Sequence, residues 1–166
     1  MPTFNAPPPV LDMARVIEYA VVDGSVKWTG RQTILVDGKE LGAVPRLALC
    51  QNLSRDLKDI LVFHCTEEWD VLGYSGGDTI EAAKSSTERA YQGISAKWIP
   101  THVTEEEAKA WIKENCPDMS CSFCSRSPGD FRQFIESKTG AARICNYCID
   151  ELYTWIRQPP SHNDVA

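Results

Sequence analysis

The sequence predicts an α+β fold: a mainly antiparallel sheet of hairpin-linked strands with two helices, followed by a small cysteine-bearing module. Three observations carry this. Between Met13 and Tyr74, short apolar and β-branched runs alternate with turn signals, Asp23-Gly24 and Asp37-Gly38 among them, the pattern of antiparallel hairpins. Two later segments open with capping residues at Asp78 and Thr104 and continue with apolar residues at helical spacing,. After Asn115 the composition changes and two Cys-x-x-Cys pairs appear.

In chain order, residues 1–11 are Pro-rich and read as an extended, mobile lead-in,. Met13 to Val22 reads as a strand, turning at Asp23-Gly24 into a mate at Val26-Lys27-Trp28. Gln32 to Val36 and Lys39 to Val44 repeat the arrangement around Asp37-Gly38,. Leu47 to Cys50 is an apolar run, and residues 54–59 read as a polar loop. Ile60 to Cys65 is continuously apolar, as expected of a central strand covered on both faces; its hairpin mate runs from Trp69 to Tyr74 across the turn Thr66-Glu67-Glu68.

Asp78 with Glu81 forms a capping-box pattern for a helix. Ile80, Ala83, Thr87, Ala90 and Tyr91 share one face of it, Lys84 and Glu88 pair on the other, and Gly93 ends it,. Ile94 to Ile99 reads as a last strand or an extended connection. Thr104 and Glu107 open a second helix with Ala108, Trp111 and Ile112 as its buried stripe. These patterns place an α+β domain at 12–116, a cysteine module at 117–158 and a tail at 159–166,.

The 166 residues carry a net charge of −6 and are 43% hydrophobic. No apolar run approaches the roughly 20 residues of a membrane span. The N-terminus has no basic segment followed by an apolar one, so no signal peptide is expected. Seven cysteines, an odd number, fit a reducing cytoplasm better than secretion,. So acidic a chain lacks the basic footprint of a general nucleic-acid binder and suits basic partners better.

Cys121, Cys124, Cys145 and Cys148 form two Cys-x-x-Cys turns. Two such pairs at this separation point to one tetrahedral Zn²⁺ held by four thiolates. That donor set closes the coordination sphere, so the metal is structural, one per chain, with no open position for chemistry. Between the pairs, Ser127-Pro128-Gly129-Asp130 reads as a helix start, with Phe131, Phe134 and Ile135 at helical spacing and Gly140 as the stop,. Beyond Cys148, Ile149, Leu152, Trp155 and Ile156 form a further helical stripe. So small a unit cannot bury all these side chains, and surplus apolar surface meets a neighbouring domain or a second copy.

The segments Cys121-Ser122-Phe123-Cys124-Ser125-Arg126-Ser127, Phe131-Arg132-Gln133-Phe134-Ile135 and Ile144-Cys145-Asn146-Tyr147-Cys148-Ile149-Asp150-Glu151-Leu152 together resemble the C4-type zinc-binding domain of the ClpX unfoldase. The resemblance covers roughly the last quarter of the chain. It implies a treble-clef or zinc-ribbon-like module that binds one zinc through the four cysteines, dimerises and docks other proteins. It also implies that Phe123, Phe134, Ile135, Ile149 and Leu152 occupy apolar dimer-forming positions; Phe131 and Trp155 join them as candidate interaction residues from the stripes above. The family commonly has glycine directly after the second cysteine, where this chain has Ser125, and the gap around Ser137 to Ala142 is slightly longer. No ATPase engine accompanies the module: Gly30 to Gly38-Lys39-Glu40 lacks the spacing and the Ser/Thr of a phosphate-binding loop.

Other chemistry is sparse. His64 and Cys65 are consecutive on a predicted strand and so face opposite sides, which disfavours a thiol-imidazole pair with Cys65 or Cys50. Glu67, Glu68 and Asp70 read as a solvated turn. His102 and Cys116 have no partners that would fix a second metal site. The expectation is a non-enzymatic zinc protein, a homodimer or a binder of another protein, with no small-molecule substrate, nucleic acid or membrane. An immunity protein that neutralises a basic toxin is the alternative; a zinc-ribbon nucleic-acid regulator ranks third, because Arg126, Arg132, Lys138 and Arg143 are offset by Asp130, Glu136, Asp150 and Glu151.

Overall fold

Strands in this protein are β1 (Val10–Leu11), β2 (Ala14–Val21), β3 (Lys27–Trp28), β4 (Leu35–Val36), β5 (Lys39–Glu40), β6 (Arg46–Asn52), β7 (Ile60–Cys65), β8 (Val71–Gly77), β9 (Tyr91–Gln92), β10 (Ile99–Pro100), β11 (Phe134–Glu136) and β12 (Arg143–Cys145). Helices are α1 (Ile80–Ala90), α2 (Glu105–Asn115) and α3 (Asn146–Arg157). The computed structural model describes residues 5–32, 34–53, 59–131 and 133–157. Most of the polar loop read at 54–59, the tail at 159–166, the first residues of the lead-in, Thr33 and Arg132 therefore lie outside the described residues.

The main sheet runs β1-β2-β6-β7-β8, with β10 also paired to β2, and every pairing is antiparallel. This is the α+β architecture the sequence predicts. β7 lies between β6 and β8 and buries both faces, as its unbroken apolar run requires,. One face packs Leu47, Leu49, Ile60 and Val62 against Ala83, Ala90, Tyr91 and Ile94 from α1 and the chain that follows it. The other packs Val16, Ala48, Cys50, Phe63 and Cys65 under Trp69. Trp69 sits in the β7–β8 turn at φ 72, its indole donating to the Asn5 carbonyl and resting edge-on against Tyr19.

β2 changes sides in mid-strand. Val16 pairs with Cys50 but Glu18 pairs with Leu49, so Ile17 is an extra residue, a bulge,. Before it, Ala14 and Val16 face Trp69; after it, Ala20 faces α1 and Glu18 meets Lys84 of that helix at 2.7 Å. Gly77 allows α1 to start close to the sheet, since a Cβ there would lie 2.8 Å from the Ala83 nitrogen.

Several expectations are corrected. β3 does not pair with β2 across Asp23-Gly24; it pairs with β9, because β6 occupies one edge of β2 while β1 and β10 occupy the other. The Asp23 carboxylate instead accepts from Ser25 and pairs with Lys97. The Asp37-Gly38 hairpin does form, with both turn residues at positive φ,. The N-cap of α1 is Thr79, one residue later than Asp78, its side chain accepting from the Ala82 amide. Lys84 and Glu88 do not pair: Lys84 has Glu18, and Glu88 accepts from the Gly93 and Ser95 amides. Ile94–Ala96 forms a 3₁₀ turn before β10. The lead-in is anchored where described, since Val10 and Leu11 form β1 and are buried.

The capping box at Thr104 and Glu107 forms with both hydrogen bonds. Ala108 and Ile112 of α2 pack on Val10 and Leu53, with Trp111 partly buried beside them. The cysteine module abuts this helix: Pro128 and Gly129 are buried, Gly129 lies against Lys109, Leu53 and Ile112, and Lys109 reaches Asp130 at 3.9 Å.

Candidate metal centre

The first Cys-x-x-Cys is a tight turn in which the Ser125 amide donates to the Cys121 carbonyl and the Cys121 amide to the Arg126 carbonyl. Ser125 sits at φ 58, the left-handed region that favours glycine,. Ser125 therefore bears the backbone strain that a glycine at this position would not,. The segment after it holds the largest departure from expectation. Instead of a helix over Phe131 to Ile135, a 3₁₀ turn at Pro128–Asp130 leads into the hairpin β11–β12, with Gly140 at φ 71 in its turn. A helix would carry the chain away from the first knuckle; the hairpin reverses it and brings Cys145 back to Cys121. In the strand, Phe134 packs inward on Phe131 and Ile135 points out, a period of two rather than 3.6,. Cys145 ends β12, and Cys148 lies in the first turn of α3. Knuckle, hairpin and helix in this order make the module treble-clef-like.

The four sulfurs lie within 4.8 Å of one another. Cys121 and Cys148 are 3.8 Å apart, Cys124 and Cys145 3.7 Å. A zinc–sulfur bond of about 2.3 Å in a tetrahedron requires sulfur–sulfur edges of about 3.8 Å, whereas a disulfide closes to about 2.05 Å. The quartet has the spacing of a zinc cage, not of two disulfides. Burial works against ionisation of Cys121, but the amides of Cys145, Cys124 and Phe123 outweigh it and bring the thiol down to about 6. Burial, followed by the neighbouring sulfurs, pushes Cys148 up to about 12. Four thiolates this close need a cation to coexist, and one divalent ion supplies it. The residues present fit one structural zinc, with no position left for a reacting ligand.

Around the sulfurs, the Cys145 amide donates to Cys121 Sγ at 3.3 Å. Arg126, which spacing alone did not single out, donates to Cys124 Sγ at 3.4 Å and lies over the Tyr147 ring. Its position two residues past the second cysteine was the available signal. Cys121, Cys145 and Cys148 are buried, and Cys124 is exposed.

The candidate interaction residues divide. Phe131 is buried among Cys121, Cys145 and Cys148 and belongs to the module's own core. Phe134 is partly buried against it, and Ile149 is half-buried. Phe123 (62% exposed), Ile135, Leu152 and Trp155 (71%) lie on the surface, joined by Tyr153 and Ile156 of α3. Phe123, Leu152 and Trp155 line one apolar groove beside Cys124 and Cys148, edged by Asp150 and Glu151.

Among the described residues, the quartet is the sole converging group of three or more metal-ligating side chains. His64 and Cys65 face opposite sides of the sheet. Burial raises the thiols of both Cys50 and Cys65, the latter to about 12, so neither is a ready nucleophile,. Glu67, Glu68 and Asp70 form an exposed turn tied by the Thr66 hydroxyl. No helix among the described residues is long and apolar enough to cross a membrane.

Compared with known proteins, residues 119–158 match the family model of the ClpX C4-type zinc finger. No curated protein and no solved structure matches the chain.

Proposed function

We propose that Cys121, Cys124, Cys145 and Cys148 hold one structural zinc whose task is to stiffen a protein-docking surface, through which the chain self-associates. The observation that carries this reading is the exposed apolar groove that Phe123, Leu152 and Trp155 line beside Cys124 and Cys148, with Ile156 exposed farther along α3. Large apolar side chains left in water on a metal-clamped module cost solubility unless another surface covers them. The ClpX-type match over 119–158 supports the same reading, since a zinc finger of this kind is a non-catalytic module. The α+β domain at 12–116 would then supply partner recognition or place the module.

Light scattering of the zinc-loaded chain tests it. A mass twice that of the 18.5 kDa chain is expected, falling to monomer with W155E or F123E while zinc content and melting temperature hold. These sites are better probes than Phe134, whose ring supports Phe131 inside the module. A monomer at high micromolar concentration ends the self-association reading.

A further inference from the structure

A second feature lies far from the cysteines in sequence and opposite in charge to the chain as a whole. We propose that the cleft between β3, β9 and the C-terminal end of α1 binds a nucleoside phosphate, its phosphates on Lys27, Arg31 and Arg89 and its base against Trp28.

These residues line one cleft of about 540 Å³, a volume suited to a small ligand,. Elsewhere Lys84, Lys97, Lys109 and Arg143 each hold a carboxylate. Lys27, Arg31 and Arg89 have no side-chain partner among the described residues, although the chain carries a net −6. The carboxylate in the cleft, Glu88, does not serve them: it accepts from the Gly93 and Ser95 amides and the Ser95 hydroxyl.

A helix C-terminus attracts cations, and Arg89 stands in the last turn of α1. That does not account for three. The Arg89 and Ala90 carbonyls already accept from the Thr29 hydroxyl, and Ala90 from the Thr29 amide as well. The three cations therefore line one cleft with no carboxylate among the described residues to neutralise them. Trp28 is held 4.6 Å from Tyr91, ring to ring, and still lines the cleft, which makes it a fixed wall for stacking,. The acidic remainder of the surface repels a long polyanion, so a compact phosphate ester fits better than a nucleic-acid strand.

Calorimetry on the zinc-loaded full chain at low salt, with ADP, pyrophosphate and adenosine as probes, tests this. ADP should bind more tightly than pyrophosphate, and adenosine not measurably. R31Q and R89Q should each weaken ADP about tenfold or more, the loss expected when one charge-assisted contact goes, with zinc content and melting temperature unchanged. W28L should reduce ADP to the affinity of pyrophosphate; if W28L does not fold, the two arginine variants decide. The proposal fails if ADP gives no binding at millimolar concentration, or if R31Q and R89Q leave its affinity unchanged. It fails equally if pyrophosphate matches ADP in the wild type, or if an acidic peptide or a single-stranded oligonucleotide binds more tightly than ADP.

Discussion

His64 holds its imidazole between the Tyr91 hydroxyl at 3.3 Å and the Ser75 hydroxyl at 3.5 Å, on the side of β7 that faces α1. It is 1% exposed, and burial lowers its pKa from 6.5 to about 4. The folded state therefore keeps the ring neutral where the unfolded chain has begun to protonate it. Above pH 6.5 both states are neutral and the residue adds no pH dependence; below it the unfolded state binds more protons, and stability falls with pH until about 4. From pH 7 to pH 5 the loss should be about 2 kcal/mol. Comparison of urea unfolding at the two pH values in wild type and H64L isolates this from the acid response of the thiolates. Equal losses in both proteins would show that His64 is not the origin.

The first knuckle depends on one backbone torsion. Ser125 at φ 58 bears a cost of about 1–2 kcal/mol for a side chain in the left-handed region,. Glycine removes that cost but adds freedom to the unfolded chain. S125G should therefore stabilise the module by about 0.5–1 kcal/mol net, seen as slower zinc loss to a competing chelator. Faster loss would mean that the Ser125 side chain has a role of its own. Elements also show where spacing misleads. Phe131, Phe134 and Ile135 fit a helical period, yet closure of the metal site puts Phe134 and Ile135 in a strand, on opposite faces. The same holds for β2, whose bulge at Ile17 hides its change of face from any period-two reading.

At the scale of the molecule, the sheet and the cysteine module have separate apolar cores that meet at α2 through Pro128 and Gly129. Metal removal should act on one of them. Elemental analysis should give one zinc per chain, and C121S should abolish it. Chelation should release the amides of 121–157 to rapid hydrogen exchange, because so small a unit relies on coordination for its stability. β6 and β7 should stay protected, since their neighbours come from the sheet and α1. Loss of protection in those strands on chelation would show that the two cores fold as one.

What the sequence determined by itself is what local chemistry encodes: the cysteine spacing and so the zinc, the Asp37-Gly38 hairpin, the Thr104 capping box, and the buried centre of β7. Each depends on residues within a few positions of one another, or on a donor set with one geometry. Tertiary structure decided the rest. It chose β9 rather than β2 as the mate of β3, because β6 took one edge of β2 while β1 and β10 took the other. It made a hairpin of a helical pattern to bring Cys145 to Cys121, put Phe131 inside and Trp155 outside, and gathered Lys27, Arg31 and Arg89 around Trp28. Those outcomes rest on competition between distant segments for the same edge, face or ion, which no local pattern records.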